Sequence, residues 1–493
     1  MKFLRTGLIA SAMLLVSQAN AGDSAAPKRT LKANSTEVFN VTPGSAENFA
    51  EMFEKGEFYG RLRFNSFKHI WGTQTAKNQD NWASAIGMSM LYKSAYLSGF
   101  GFTAGLYSSY NPWHMDAEDV GFAKAGKDVF SRYKVANGDG FEMLSLAQAY
   151  LEYRNEALSF KAGRQIVESF LTASNDTKMI PNTFEGAALE SSFLPNTQFK
   201  AAFLTKEKLR DHETFSHLLA YGEDTLSDPH GSWDENDDGA MHKGLTLSKL
   251  RAAGINDRLV ILEATNTSIK DLTVMLNYTA VPDLISSATI DAAYAFSLPG
   301  GMTLTPGLRY MHQMDDGAGT IGGANLAVNT VGYNDPSNLD GGLFGAKVEL
   351  AQGIWMAGIG YTKVFDEGDL IAPWRGFPTA GYTRMMGQYN WNANTKTAAV
   401  YGGYDLGKAG LVEGLQTKVG YAIQNFDDAK PGVQADSNAF TIDLIKSYKS
   451  IPNLYAKIRM GFVNGDDDTV TTGGGIKADP SYTDLRFEVN YLF

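Results

Sequence analysis

Apolar and polar residues alternate most clearly in the segment SYTDLRFEVNYLF, residues 481–493. Leu485, Phe487 and Val489 share one face of a predicted strand, and the residues between them are charged or polar. Successive side chains of a strand point to opposite faces, so one face is apolar and the other charged. A charged inner face does not suit a soluble sandwich, but it suits a membrane barrel that encloses water.

The same period of two recurs along the chain after residue 57. The segments are 58–67, 83–92, 100–109, 144–153, 157–165, 184–192, 197–206, 259–266, 270–279, 286–296, 302–312, 341–351, 353–364, 397–405, 414–424, 437–445, 453–463 and 483–493. Their even number is typical of single-chain bacterial barrels. The pattern predicts an all-β fold, a transmembrane antiparallel β-barrel of about eighteen strands.

The connections between these predicted strands alternate in length. Long connections such as 110–143 and 207–258 follow the odd-numbered strands, and connections of one to eight residues follow the even-numbered ones. Only 280–285 is short for its class. Short periplasmic turns and long extracellular loops distinguish outer-membrane barrels from soluble β-proteins, so the alternation supports a barrel in the bacterial outer membrane.

The N-terminus predicts a secretory signal peptide over residues 1–21. Lys2 and Arg5 precede a short apolar run, and Ala19-Asn20-Ala21 has the form of a cleavage site. A short membrane anchor is the alternative interpretation. We predict a polar periplasmic lead-in over 22–57 and the barrel domain over 58–493.

Composition supports export and membrane insertion by strands. The chain has no cysteine, so disulfides do not stabilise it, and 51 of its 493 residues are glycine. No segment reaches the roughly 20 consecutive apolar residues of a membrane helix, and a closed barrel is the other structure that satisfies its backbone in lipid. Cleavage would change the net charge from −11 to −13, which argues against a nucleic-acid partner. The expected partners are the lipid bilayer and small hydrophilic solutes.

Strand parity predicts two charged walls inside the barrel. Closure makes the first and last strands neighbours, so basic residues on strands 15, 17, 18 and 1 should form one basic wall at similar depth: Arg61, Arg63, Lys418, Lys457, Arg459 and Arg486. The other side should carry an acidic wall: Glu152, Glu190, Glu263 and Asp291. Opposed walls would orient dipolar solutes in the channel. The alternative is that Asp443, Asp484 and Glu488 neutralise the basic side chains locally.

The stretch from Phe160 to Ser192 resembles the third-loop region of OprD-type porins. A Gly-Arg pair, an Asp-x-Lys and a Pro-x-x-Phe-x-Gly carry the resemblance, at Gly163, Arg164, Asp176, Lys178, Pro181, Phe184 and Gly186. The resemblance implies an eighteen-stranded channel, monomeric or trimeric, whose solutes are often basic amino acids or carboxylates. We expect loop 166–183 to narrow the channel, with Arg164, Asp176, Lys178 and Pro181 at the constriction; the longest loop is 207–258.

One segment suggests a metal. Asp234, Asn236 and Asp238, followed by Gly239, match the first half of a calcium loop. Leu245 stands where such a loop needs a bidentate carboxylate, so a solvated acidic loop is the other interpretation. We expect no other cofactor.

No catalytic motif appears, and no enzymatic activity is expected. The predicted function is an outer-membrane porin, a water-filled channel for passive or substrate-preferring diffusion of small hydrophilic solutes such as amino acids, small carboxylates and ions. A non-selective porin and a barrel-displayed surface adhesin are the alternatives.

Overall fold

The computed structural model describes residues 28–32, 37–123, 129–172, 179–219, 242–372, 374, 376–386 and 388–493. The predicted signal peptide lies outside these residues. None of the helices within them is both long enough and apolar enough to span a bilayer.

Eighteen antiparallel strands form one closed barrel, in which each strand pairs with the next and β18 pairs with β1. The strands are β1 (Glu57–Trp71), β2 (Asn81–Lys93), β3 (Phe100–His114), β4 (Met143–Arg154), β5 (Leu158–Gln165), β6 (Thr183–Ser191), β7 (Thr197–Lys208), β8 (Leu259–Asn266), β9 (Leu272–Val281), β10 (Ile285–Tyr294), β11 (Met302–Asp315), β12 (Gly341–Gln352), β13 (Trp355–Val364), β14 (Lys396–Asp405), β15 (Leu415–Asn425), β16 (Ser437–Ser447), β17 (Leu454–Gly465) and β18 (Tyr482–Leu492). The predicted fold class is confirmed, and each predicted segment overlaps one strand. The largest difference is at the end of β3, which continues to His114.

The alternation along the strands separates a lipid-facing surface from an interior. Leu151 and Ile359 point outward with 69% and 61% of their surface exposed, and their inward neighbours Glu152 and Gly360 are buried. So much exposed apolar surface would be unfavourable in water, whereas the hydrocarbon of a membrane covers it.

The segment before β1 packs at the periplasmic end of the barrel. Short strands Arg29–Leu31 and Glu37–Phe39 pair with each other. Helix α1 (Phe49–Glu54) begins after Asn48, whose side chain accepts a hydrogen bond from the backbone of Glu51, and it buries Met52 beside the barrel. Three further short strands and five helical turns complete the described structure: Ser45–Ala46, Tyr96–Leu97, Phe296–Leu298, Ala117–Phe122, Arg132–Ala136, Leu247–Ala252, Pro299–Gly301 and Ala318–Gly322.

The described parts of four extracellular loops pack at the upper end of the barrel. The loops are loop 3 (166–182), loop 4 (209–258), loop 6 (316–340) and loop 7 (365–395). One apolar cluster joins them to the upper ends of the strands, and its loop members include Leu171, Leu245, Leu339 and Trp374. Hydrophobic burial therefore holds these parts of the loops against the strands.

Candidate functional site

All six residues of the predicted basic wall lie at inward positions of β1, β15, β17 and β18, but the strand register spreads them over several levels and not at the similar depth that was expected. Because β18 pairs with both β17 and β1, Arg459 lies directly opposite Arg486, and Arg63 lies opposite Asn490. Like charges in directly opposed positions repel each other, so this arrangement requires nearby counter-charges.

Carboxylates on β16 and β18 supply part of that counter-charge. Asp443 lies 3.0 Å from the Nε of Arg459 and 3.8 Å from the Nζ of Lys457. The Nη2 of Arg486 lies 2.8 Å from Asp484. The alternative of local pairing therefore describes these three cations.

Arg61 and Arg63 share a neutral acceptor. The Nε atoms of both arginines donate to the side-chain oxygen of Asn490, at 3.1 and 3.0 Å. Glu37 of the N-terminal segment lies 3.5 Å from Arg61. Among the described residues, the carboxylates close to the six cations of the basic wall are Glu37, Asp443, Asp484 and Glu488.

The four predicted acidic residues lie at inward positions of the opposite wall, but this wall is not purely acidic. Each predicted acid faces a cation on the neighbouring strand. The opposed pairs are Glu152 with Lys161, Glu190 and Glu263 with Lys200, and Asp291 with Arg309. These cations balance most of the negative charge, so the basic wall faces a mixed wall.

Two residues of the mixed wall hold loop 3 inside the barrel. The backbone N–H of Phe170 donates to Glu263 at 2.8 Å, and the Nζ of Lys200 donates to the carbonyl oxygen of Glu168 at 2.8 Å. Pro181 lies near the upper rim, where its carbonyl accepts from the buried Lys208 at 2.8 Å. The predicted residues Asp176 and Lys178 lie outside the described residues.

Arg164 is not at the constriction. It continues the outward parity of Phe160 on β5, and its side chain pairs with Glu185 of β6 at 2.9 Å on the outer surface. The reason is that β5 remains a regular strand through Gln165 and does not bend inward before loop 3.

Arg309, which the sequence analysis did not identify, joins the wall to both inward loops. Its Nε lies 2.6 Å from Asp291, and its Nη1 donates to the carbonyls of Pro378 (2.9 Å) and Ala380 (2.7 Å) in loop 7. Its guanidinium also stacks over the rings of Phe170 in loop 3 and Tyr382 in loop 7, at 4.8 and 4.2 Å. Ion pairing, hydrogen bonding and cation–π attraction thus converge on one side chain.

Loop 7 lies directly on the inner wall because glycines provide the space. A Cβ atom added at Gly360 would stand 2.3 Å from the carbonyl oxygen of Tyr382, and one at Gly461 would stand 2.7 Å from the Cε of Met386. Both separations are shorter than van der Waals contact, so a side chain at Gly360 would displace the backbone of loop 7, and one at Gly461 would displace the end of the Met386 side chain. Inward-facing glycine on a predicted strand is the sequence signal that could have indicated its path.

Asp369 connects loop 7 to loop 6. This fully buried carboxylate accepts from the Tyr333 hydroxyl at 2.6 Å and from the amide groups of Asn325 and Asn392 at 3.0 and 2.8 Å. The backbone N–H groups of Leu326 and Ala393 also donate to it, at 3.0 and 2.8 Å. Burial raises the pKa of Asp369, and the five donors oppose that shift by stabilising its charged form.

The calcium hypothesis concerns Asp234, Asn236 and Asp238, which lie outside the described residues. Elsewhere in the extracellular loops, Asp428, Asp436 and Asp466 bring carboxylate oxygens within 4.8 Å of one another. Backbone and side-chain donors already engage Asp436, which accepts from the N–H of Phe426 at 2.6 Å.

A contact between loop 4 and loop 6 should depend on pH. The Nε2–H of buried His242 donates to the carbonyl of Gly323 at 2.8 Å, and its Nδ1 accepts from the N–H of Gly244 at 3.0 Å. Burial lowers the pKa of His242 to about 4, so between pH 6.5 and 4 a released loop binds a proton that the packed loop does not. The contact is therefore at full strength above pH 6.5 and weakens as the pH falls.

We expect acidification from pH 7 to pH 4.5 to accelerate proteolysis of loop 4 in the folded barrel by about tenfold or more, from the size of that pKa shift. An acid-stable protease measures the rate at each pH. The variant His242→Gln, which keeps a donor for Gly323 but does not titrate, should lose the pH dependence. Equal acid sensitivity in the two proteins would contradict this role for His242.

Comparison with known proteins gives a consistent result. The family profile described as outer membrane porin, OprD family, matches residues 63–423. Three similar solved structures are OpdK of Pseudomonas aeruginosa with vanillate (15% identity, 90% of this chain and 99% of that chain, TM-score 0.66), OccK9 (OpdG) of Pseudomonas aeruginosa (16%, 90% and 99%, 0.67) and OccAB4 of Acinetobacter baumannii (15%, 89% and 98%, 0.67). No curated protein sequence is significantly similar to the chain. At this identity the structural matches establish the fold.

Proposed function

Because this chain belongs to the OprD family of outer membrane porins, we propose that its channel favours small hydrophilic solutes that carry a carboxylate. The observation that supports the proposal is the basic wall, in which six cations lie on one side of the barrel beside four carboxylates of the described residues. Charged side chains that line a narrow channel select ions by the sign of their charge, because they replace part of the hydration that an ion loses there.

The cations of the basic wall follow one another toward the periplasm. The register of β17, β18 and β1 places Arg459 and Arg486 at the upper level, Lys457 at the next, then Arg63 and finally Arg61. Levels two residues apart on a strand are separated by about 7 Å. A carboxylate can therefore leave one cation as it reaches the next, which favours conduction over tight retention.

Partial pairing within the basic wall supports transfer rather than trapping. Arg459 shares Asp443 with Lys457, and Arg61 shares Asn490 with Arg63, so the positions of these side chains are fixed before a solute arrives. Arginine presents up to five donors in a planar arrangement that matches a carboxylate. A solute thus meets donors that are already oriented, so little free energy is needed to order them.

Loops 3 and 7 limit the size of the solutes that pass through the proposed channel. Both fold inward and meet at Arg309 on the mixed wall. The solved structure of OpdK contains vanillate, which is a small aromatic carboxylate. A solute of that class fits the proposal for this chain, because its charge would follow the basic wall while its ring passes the aromatic side chains of the two loops.

The proposal predicts that Arg61→Gln, Arg63→Gln and Arg459→Gln together lower anion preference. Removing three positive charges should shift the reversal potential in a salt gradient toward cation selectivity, and should reduce block by added benzoate at least threefold. Planar-bilayer recordings measure both quantities. The control is Lys363→Gln, which removes a cation from the outward face of β13. Unchanged selectivity in the triple variant, or no block of the wild-type channel by any carboxylate, would favour a non-selective porin instead.

A further inference from the structure

The outward face of the barrel carries its charges unevenly. Among the described strands, the outward charged side chains at the extracellular ends are five cations and one acid: Lys68, Arg164, Lys206, Lys363, Lys396 and Glu185. Near the periplasmic ends of the same described strands, only Lys446 is an outward charged side chain. This basic rim contrasts with the acidic net charge of the chain.

One acid accounts for two of these cations. Glu185 lies directly opposite both Arg164 and Lys206, and it pairs with Arg164 at 2.9 Å and with Lys206 at 3.9 Å. These three residues form a local network on β5, β6 and β7. They leave Lys68, Lys363 and Lys396 as the remaining basic positions of the rim.

Lys363 of β13 lies directly opposite Lys396 of β14. Like charges in opposed positions on a sheet destabilise the pairing. Within the described residues no carboxylate forms an ion pair with either lysine. Lys396 acts at longer range on Asp427, which already contacts Lys430 at 3.0 Å and Asn394 at 3.0 Å.

Aromatic side chains lie beside and below this lysine pair on the same outward face. Phe344 is directly opposite Lys363, Tyr310 is directly opposite Phe344, and Tyr361 lies two residues below Lys363. All three rings are about two-fifths exposed. Aromatic rings at this level mark the boundary between hydrocarbon and headgroups, so the lysines stand at headgroup height.

We propose that Lys363 and Lys396 bind the phosphate group of a phosphorylated lipid in the outer leaflet, with the acyl chains of that lipid against Tyr310, Phe344 and Tyr361. A phosphate between the two ammonium groups turns their repulsion into two charge-assisted contacts. The basic rim lies at the extracellular ends of the strands, so a lipid that binds there belongs to the outer leaflet. The inference depends on the outer-membrane location and not on the solute proposed for the channel.

The test measures lipid binding to the full-length barrel in detergent micelles by native mass spectrometry. We expect wild-type protein to retain purified lipopolysaccharide, and the double variant Lys363→Gln, Lys396→Gln to bind it at least tenfold more weakly. The double variant Lys363→Arg, Lys396→Arg should bind like wild type. Lys446→Gln, which removes the basic residue at the periplasmic end, should also leave binding unchanged.

A second comparison identifies the chemical group of the lipid that the two lysines bind. Lipopolysaccharide from which the phosphates have been removed should bind wild-type protein no better than intact lipid binds the Gln double variant. The proposal is overturned if both lipids bind equally or if the Gln double variant retains wild-type binding. It is also overturned if the Gln substitutions change the oligomeric state of the protein in the absence of lipid, because the two lysines would then form a contact between copies of the chain. Both lysines face away from the lumen, so single-channel conductance should be unchanged in every variant and reports correct folding.

Discussion

Replacing Arg309 with methionine is expected to raise single-channel conductance several-fold. The substitution keeps most of the side-chain volume but removes the donors that hold Pro378 and Ala380 of loop 7 and the cation that stacks on Phe170 of loop 3. It also leaves the carboxylate of Asp291 buried without its partner, which typically costs about 3–5 kcal/mol. Both inward loops lose their shared anchor, and planar-bilayer recordings should show a wider channel.

Two further variants separate loop release from general damage to the barrel. Arg309→Met combined with Asp291→Leu removes the uncompensated charge, so it should recover the heat resistance of the barrel while conductance stays high. Arg164→Met removes an arginine from the outer surface and should leave conductance unchanged. A wild-type conductance in Arg309→Met would show that loops 3 and 7 hold their positions through the apolar cluster alone.

Asp369→Ala is expected to release loops 6 and 7 from each other. The change removes the acceptor that five donors share, of which Asn325 keeps the carbonyl of Gly432, and each buried donor left unpaired typically costs about 1–3 kcal/mol. Local opening should therefore become frequent enough to raise the rate of proteolysis in loop 7 more than a hundredfold. The same opening should appear as rapid fluctuations of the current through single channels.

Matched variants define what the carboxylate contributes. Asp335→Ala removes an exposed acid of loop 6 that contacts only its own turn at Ser337, so its proteolysis rate should stay close to wild type. Asp369→Asn keeps one acceptor oxygen and should give an intermediate rate. If Asp369→Ala resists protease as well as Asp335→Ala does, the hydrophobic packing around Trp374 and Trp391 is sufficient to hold the loops.

The barrel was predictable because membrane strands impose a strict period of two on their sequence. Polar residues such as Arg486 and apolar ones such as Phe487 alternate without a break in β18, and the register follows once the strands are known. The residues at which strands begin and end were less predictable, because β-bulges and contacts with the loops determine these bounds. β4 contains one extra residue opposite β3 between Leu146 and Gln148, and no residue type in the sequence indicates this bulge.

The basic wall could be placed from parity, but the balance of the opposite wall could not be inferred from its acids alone. Lys161 and Lys200 were on predicted strands with inward parity, so counting both signs of charge would have shown the mixed wall. Arg309 also had inward parity on a predicted strand, opposite Asp291, so the same count would have included it. Its contacts with loop 7, and the partners of Asp369, lie on segments without periodicity, so only the three-dimensional packing identifies them.

The seam between β1 and β18 determines the order in which the channel can form. Arg61 and Asn490, which hydrogen-bond across it, are separated by 429 positions in the chain. Contacts of such sequence separation form late, because the intervening chain must be ordered before they are gained. The basic wall spans this seam, so all its cations come together only when the barrel closes. The anion preference proposed above therefore requires the finished ring, and an assembly intermediate stalled before closure would present two open strand edges and an unfinished row of arginines.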